Sequence, residues 1–339
     1  MKYFLLFSGF ELATVLLGFL KRPFSPIQWM SRDYTTALKG LSMLTILWSH
    51  VGACLGVKGI QFIGTVGVSL FIIFSGYGLE ISVEKNGLND YWKKRIMHVM
   101  LPFWIAEAIG LLATGRLTFR TYMLDCMFIK PATGPGWFMQ YIIICYLLFY
   151  LVALTVQRIN PKEPKQLKKQ LLYGAFLVWF IIDSLYFARP SMPFLRARQM
   201  LCFPFGISIA GDQEKIENVI SRPVSAFLGG IIGLLFMGIT QIPYIKESLY
   251  LFQNVLSLFT VFPLAIAVLS ITKRHSWLLY NLVLKQIGLV SFEIYLVHAF
   301  TMEILRMSLS SLIAFLVLTT AGVWVLHIAL RKVNHIWSI

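Results

Sequence analysis

Charge is scarce in this sequence. Of 339 residues only 13% are charged, against about a quarter in an average soluble domain, while 58% are hydrophobic and 15% aromatic. Acidic residues are scarcer still, with 15 Asp and Glu against 30 Lys and Arg. Such a composition excludes an ordinary cytosolic enzyme and a disordered chain, which needs low hydrophobicity. Cysteine is rare as well. Cys54, Cys126, Cys145 and Cys202 form no C-x-x-C pair and no Cys/His cluster with zinc spacing, so no metal is expected and the four read as buried structural thiols. No internal repeat is visible, which weakens a transporter built on inverted repeats.

What is abundant is apolar length. Hydrophobic runs fall near 3–20, 36–56, 62–80, 97–113, 136–156, 171–188, 199–211, 224–240, 250–271, 287–305 and 309–329. A helical span takes about 20 residues, so eleven spans use about 220 and leave roughly 10 for each loop or tail. The expected fold is therefore all-α, a polytopic transmembrane bundle of about eleven spans with no soluble domain. The run 3–20 is long for a signal peptide and lacks a small-x-small cleavage site, and Lys21 and Arg22 follow it as a stop flank. It reads as a retained first span, so that 1–32 form an extra span and connector ahead of a membrane domain at 33–339. The run 199–211 is short and interrupted by Pro204 and Gly206, which suggests a broken or re-entrant helix.

The formal net charge of +15 is too widely distributed to indicate nucleic acid. Counted on alternating sides, twenty of the thirty Lys and Arg residues fall on one side and ten on the other. The positive-inside rule places the first side in the cytoplasm, the N-terminus outside and the C-terminus inside, in a multi-pass plasma (inner) membrane protein surrounded by membrane lipid.

Ionisable residues at membrane depth are costly and so are functional candidates. They are Glu11, His50, Glu107, Asp183, Glu293, His298 and Glu303. A neutral imidazole accepts a proton near pH 7 without carrying a permanent charge into the bilayer, so His50 reads either as a packing histidine or as a general base. Lys39 precedes it by eleven residues, about 16 Å along a helix. Arg95 and His98 begin the fourth run, three residues apart and so on one helix face. Lys39, Arg95 and His98 read either as positive-inside anchors or as a basic mouth for phosphate groups.

Five blocks in order resemble the acyltransferase-3 family of integral-membrane acyltransferases, which O-acylate carbohydrates and related acceptors. They are the span from Lys39-Gly40 to His50; G-T-V-G-V-S-L-F-I-I-F-S-G-Y-G-L at 64–79; Y-W-K-K-R-I-M-H-V-M-L-P at 91–102; G-P-G-W-F-M-Q-Y at 134–141; and G-L-V-S-F-E-I-Y-L-V-H at 288–298. The resemblance covers roughly residues 33–330. Two departures stand out. Lys39 replaces the family's Arg, keeping the charge but losing the planar fork, and His98 replaces the second Arg of R-x-x-R.

The resemblance implies an O-acetyltransferase. Acetyl-CoA, or another acyl-CoA, docks its phosphates from the cytoplasm at Lys39, Arg95 and His98, and its pantetheine arm reaches toward His50. His50 deprotonates an acceptor hydroxyl or carries the acyl group, on a surface polysaccharide or its lipid-linked precursor supplied by a polysaccharide-assembly system. Glu293 or another carboxylate orients His50, and His298 shares a proton with it. Trp137 stacks on a sugar ring or sits in an interfacial belt; Ser75 and Tyr77 either touch substrate or, with Gly76, shape close helix packing. A chain of this length is expected to lack the fused extracytoplasmic esterase domain of some members. The competing readings are a glycan transporter or flippase, which paired discontinuous helices in two matching halves would favour although the sequence offers only one, near Pro204, and a non-catalytic substrate-binding module.

Overall fold

The computed structural model describes residues 1–20, 27–190 and 196–336; Lys21 and Arg22, the expected stop flank, lie outside the described residues. Among the described residues the chain is all-helical, with no strand. It is a polytopic helical membrane protein. Each of the eleven apolar runs holds a helix, but length and apolarity qualify six as spans, or eight if two sharply bent pairs each count as one.

The helices that position the site are α1 (Lys2–Gly18), α2 (Arg32–Cys54) and α3 (Gln61–Asn86), followed by α4 (Tyr91–Ala113), α5 (Gly134–Ile159) and α6 (Pro164–Phe187). Then come α7 (Cys202–Gly211), the bent pair α8 (Gln213–Ile220) and α9 (Pro223–Ile239), α10 (Tyr250–Arg274), the bent pair α11 (Leu282–Leu289) and α12 (Ser291–Ile304), and α13 (Leu309–Ile336).

Outward faces stay apolar. Leu177, Ile181 and Leu185 on α6, and Phe227, Ile231, Leu234 and Leu235 on α9, are all exposed at helical spacing. In water such stripes would be a liability; facing lipid they are the expected surface of a spanning helix.

Inside, without a hydrophobic drive between helices, close packing falls to small residues. Gly40 of α2 lies against the Leu284 carbonyl of α11, and Gly288 of α11 lies reciprocally against the Thr36 carbonyl. Gly76 of α3 meets the Phe203 carbonyl, and Gly206 of α7 meets that of Ile73. A Cβ at any of the four would strike backbone. These contacts seat Lys39 and Ser75, the neighbours of Gly40 and Gly76.

The short run at 199–211 is not broken at Pro204. The proline sits in the first turn of α7, where its missing N–H has no intrahelical partner to lose. The helix is short instead: ten residues span about 15 Å, half a bilayer core. The sharp breaks lie elsewhere, a 77° bend between α8 and α9 and a 73° bend between α11 and α12. The second interrupts the run 287–305, where the sequence suggested one continuous span. Ser291 at the start of α12 donates from its hydroxyl to the Gly288 carbonyl across the break, satisfying one freed backbone group.

Helix α1 is stitched into the bundle. Phe4 packs on Trp48 of α2, and Phe7 on Phe315 of α13. Trp48 donates its indole N–H to Ser8 at 2.8 Å, and Asn281 donates to the Val15 carbonyl.

Charged pairs gather at one end of the bundle. Lys168 pairs with Glu80, Lys169 with Asp212 and Lys273 with Glu217; Lys285 pairs with Asp33 at 2.9 Å. Lys39 and Arg95 lie at this end. Glu303, expected at membrane depth, is instead exposed and bonded to Arg116 at 2.6 Å near the opposite end, because α12 stops at Ile304.

Candidate active site

The two membrane-depth histidines meet. His50 near the end of α2 and His298 on α12 lie 248 residues apart in sequence, with His50 Nδ1 2.9 Å from His298 Nε2. Their rings are nearly parallel, 5.2 Å between centroids. His298 is fully buried and His50 partly so.

Their tautomers follow from the surroundings. His298 Nδ1 lies 2.6 Å from the Tyr295 carbonyl and 3.2 Å from that of Ile294. A carbonyl only accepts, so Nδ1 carries the proton, and in the neutral ring Nε2 is then an acceptor. His50 Nδ1 must donate to it. The remaining nitrogen, His50 Nε2, holds a lone pair and no described partner. The arrangement presents one free basic nitrogen whose tautomer is fixed by a chain ending on backbone carbonyls.

Glu293 does not join this pair. It lies five residues before His298, about 140° around the helix, and faces α13, where its nearest partner is His327 Nδ1 at 3.7 Å. That is the only histidine–carboxylate pair among the described residues. The group within hydrogen-bond distance of His50 is therefore an imidazole, and Glu293, the carboxylate named from the sequence, lies against His327 instead.

A cavity of about 180 Å³ lies on the Lys39 side of the pair. Lys39, Ser75 and His98 line it together with Tyr146, Ser291 and Tyr295, and its remaining walls are apolar, among them Phe71, Phe138 and Phe292. Tyr295 carries it to the histidines, since its ring centroid is 5.3 Å from that of His298. The tyrosine is held by its hydroxyl, which donates to the Pro135 carbonyl at 2.7 Å. The G-P-G turn of the fourth block thus anchors the fifth.

At the mouth, the guanidinium of Arg95 lies 5.7 Å from the Tyr91 ring and 5.5 Å from the Tyr146 ring, a distance at which cation–π attraction holds it. It has no carboxylate partner, and its buried Nε makes no hydrogen bond. Arg95 and His98 are not joined by regular α-helix. Residues Ile96–Met100 form a π-helical turn. Pro102 follows, and a proline neither bonds to nor fits against the carbonyl four residues back, here that of His98. The wider turn absorbs this; His98 lines the cavity, and Arg95 lies beside Tyr146 of the same wall. Such turns recur at functional sites.

Two expected substrate contacts sit apart. Trp137 packs edge-on against Phe138 and Tyr141, and it is Phe138 that reaches the cavity. The Tyr77 hydroxyl faces Gln213 at 3.5 Å, while its neighbour Ser75 lines the cavity. Tyr146, Ser291 and Tyr295 carry no charge and have unremarkable spacing; only Ser291 and Tyr295 lay within a recognisable block.

Residues 32–330 match the acyltransferase-3 family model, described as an acyltransferase domain. No curated protein matches the chain, and no solved structure does.

Proposed function

Because the chain belongs to the acyltransferase-3 family, with that match covering most of its length, it is a membrane acyltransferase, and we propose that it moves an acetyl group from cytoplasmic acetyl-CoA to a hydroxyl of a surface polysaccharide or its lipid-linked precursor. The observation that carries the proposal is the free lone pair of His50 Nε2, oriented through His298, one helical turn from a narrow cavity with Lys39 and His98 at its other end.

On this reading the CoA phosphates lie against Lys39, Arg95 and His98, and the thin pantetheine arm fills the apolar cavity. The acceptor hydroxyl arrives from the opposite face. His50 Nε2 takes its proton as the oxygen attacks the thioester carbon. The C–S bond breaks, and the departing thiolate takes the proton from His50, leaving an ester, CoA and the neutral pair. General-base assistance of this kind contributes roughly 10²–10⁴-fold. The positive-inside count supports a cytoplasmic Lys39 end, which is also where the ion-paired lysines gather.

The test is the O-acetyl content of surface glycan, read by NMR in cells carrying the wild-type chain, the His50→Ala variant or none. Loss of the ester in the variant at unchanged membrane abundance is the expected result. Full O-acetylation with His50→Ala would sink the assignment.

A further inference from the structure

One cation inside the bundle, away from the donor mouth, lacks a partner among the described residues. Arg198 belongs to the 3-10 turn Ala197–Gln199 just ahead of α7. The far end of α7 reaches Asp212, which pairs with Lys169 at the Lys39 end of the bundle. The turn is therefore removed from that end by the length of α7, about 15 Å.

Its level is fixed by Gln199. The Gln199 side chain accepts from Ser69 at 2.9 Å and donates to the Thr65 carbonyl at 3.2 Å, both on α3, and the Tyr141 hydroxyl donates to its backbone carbonyl. On the same stretch of α3, Ser49 donates to the Gln61 carbonyl and packs against Gly64. Ser49 precedes His50. Arg198 and His50 thus each adjoin a residue that grips one segment of α3, Gln61 to Ser69.

Six other partly buried cations contrast with it. Lys168, Lys169, Arg196, Lys273 and Lys285 are partly buried, and each faces a carboxylate. Arg95 lies between two tyrosine rings. Arg198 is partly buried too, yet among the described residues its guanidinium makes no hydrogen bond, ion pair or ring contact. All 15 acidic side chains of the sequence belong to described residues, so none remains elsewhere to neutralise it. An arginine cannot shed its charge, and an unneutralised charge at membrane depth is costly and functional by default. Partial exposure leaves it open to an incoming ligand.

We propose that Arg198 binds an oxyanion carried by the acceptor, a carboxylate or phosphate, and so makes this chain selective for anionic glycans or glycan precursors. The planar guanidinium suits either group through two parallel hydrogen bonds. The word acceptor rests on the acyl-transfer reading above; the anion site itself does not. Lys39 and Arg198, both partly buried and without a carboxylate or ring partner among the described residues, then have separate tasks, Lys39 toward the donor and Arg198 toward the acceptor.

The experiment uses the full chain in phosphatidylcholine nanodiscs and three soluble probes: methyl glucuronide, glucose 1-phosphate and methyl glucoside. The two anionic probes are expected to bind at least tenfold more tightly than the neutral one, the scale of one charge-assisted pair. Arg198→Gln should erase that preference and leave CoA binding intact, and Arg198→Lys should keep part of it. His50→Ala should keep all of it, so failure of the catalytic assignment and failure of the anion site are read separately. Should Arg198→Gln not fold, the wild-type preference together with its weakening in Arg198→Lys decides the matter. Equal binding of all three probes to the wild type overturns the proposal, as does an anionic preference that survives both substitutions. Retention of phosphatidylglycerol by the wild type but not the variant, without preference among the soluble probes, gives the cation to lipid and also overturns it.

Discussion

Replacing His298 separates an orienting role from a packing role. His298→Phe keeps a ring of similar size in a fully buried site but removes the acceptor that faces His50 Nδ1 at 2.9 Å. The His50 N–H is then left without a partner, at about 1–3 kcal/mol. Rotation or a tautomer shift relieves that cost and takes the lone pair off Nε2, so the base-competent form becomes a minor state by a similar amount. At 1.36 kcal/mol per tenfold, kcat is expected to fall roughly 5- to 150-fold. Loss of the orienting carboxylate in a serine-protease triad, about 10⁴-fold, sets a ceiling. His298→Gln puts an amide oxygen near the position of Nε2, where it accepts from His50, and should recover most of the rate. The assay is initial-rate acyl transfer in membranes with abundance matched by immunoblot, plus the donor KM, which should stay constant across the set. Full activity in His298→Phe, or a His298→Gln variant no better than it, would refute the relay.

Other outcomes follow from the same geometry. Lys39→Ala and Arg95→Ala should each raise the apparent KM for acyl-CoA about tenfold or more, the scale of a hydrogen bond to a charged group, with Lys39→Arg close to wild type in a donor titration. Gly206→Val drives a side chain into the Ile73 carbonyl and should lower thermal stability in detergent by about 1–3 kcal/mol or more; Gly9→Ala, with nothing within 4 Å of its added Cβ, should not. Glu80→Gln leaves Lys168 partly buried without its carboxylate. It should destabilise by about 3–5 kcal/mol, read as an earlier unfolding transition.

Apolar length made the helices legible because a bilayer demands it, and eleven runs mark eleven helical stretches. The breaks were not legible. Pro204 announces one that does not occur, because what matters is its place in the first turn of α7. The 73° bend after Leu289 has no proline; it lies where Gly288 presses against the backbone of α2. The blocks named His50 and His298, and their common depth suggested a shared proton, but no spacing gives the direction of the bond between rings 248 residues apart. Helical arithmetic alone does turn Glu293 away from His298. Arg198 went unnoticed because a sequence shows a charge and not its missing counter-ion.

The same pair of tautomers discriminates between the two chemical roles open to His50. An acyl group carried on Nε2 leaves a neutral acyl-imidazole whose Nδ1 is a bare acceptor once the thiolate has taken the Nδ1 proton. That nitrogen would face His298 Nε2, also an acceptor, at 2.9 Å. His298 supplies a proton there only by giving up its bonds to the Tyr295 and Ile294 carbonyls, at about 1–3 kcal/mol for each buried group left unpaired. A general base meets no such conflict. When His50 Nε2 takes a proton, Nδ1 keeps its own and goes on donating to His298 throughout the turnover. The base role therefore fits the resting arrangement, and acyl transfer should proceed through a complex of donor and acceptor. Labelled CoA should not exchange into acetyl-CoA without acceptor, and double-reciprocal plots against both substrates should intersect. Rapid exchange without acceptor, with parallel plots, would show that the relay re-tautomerises and that His50 carries the group itself.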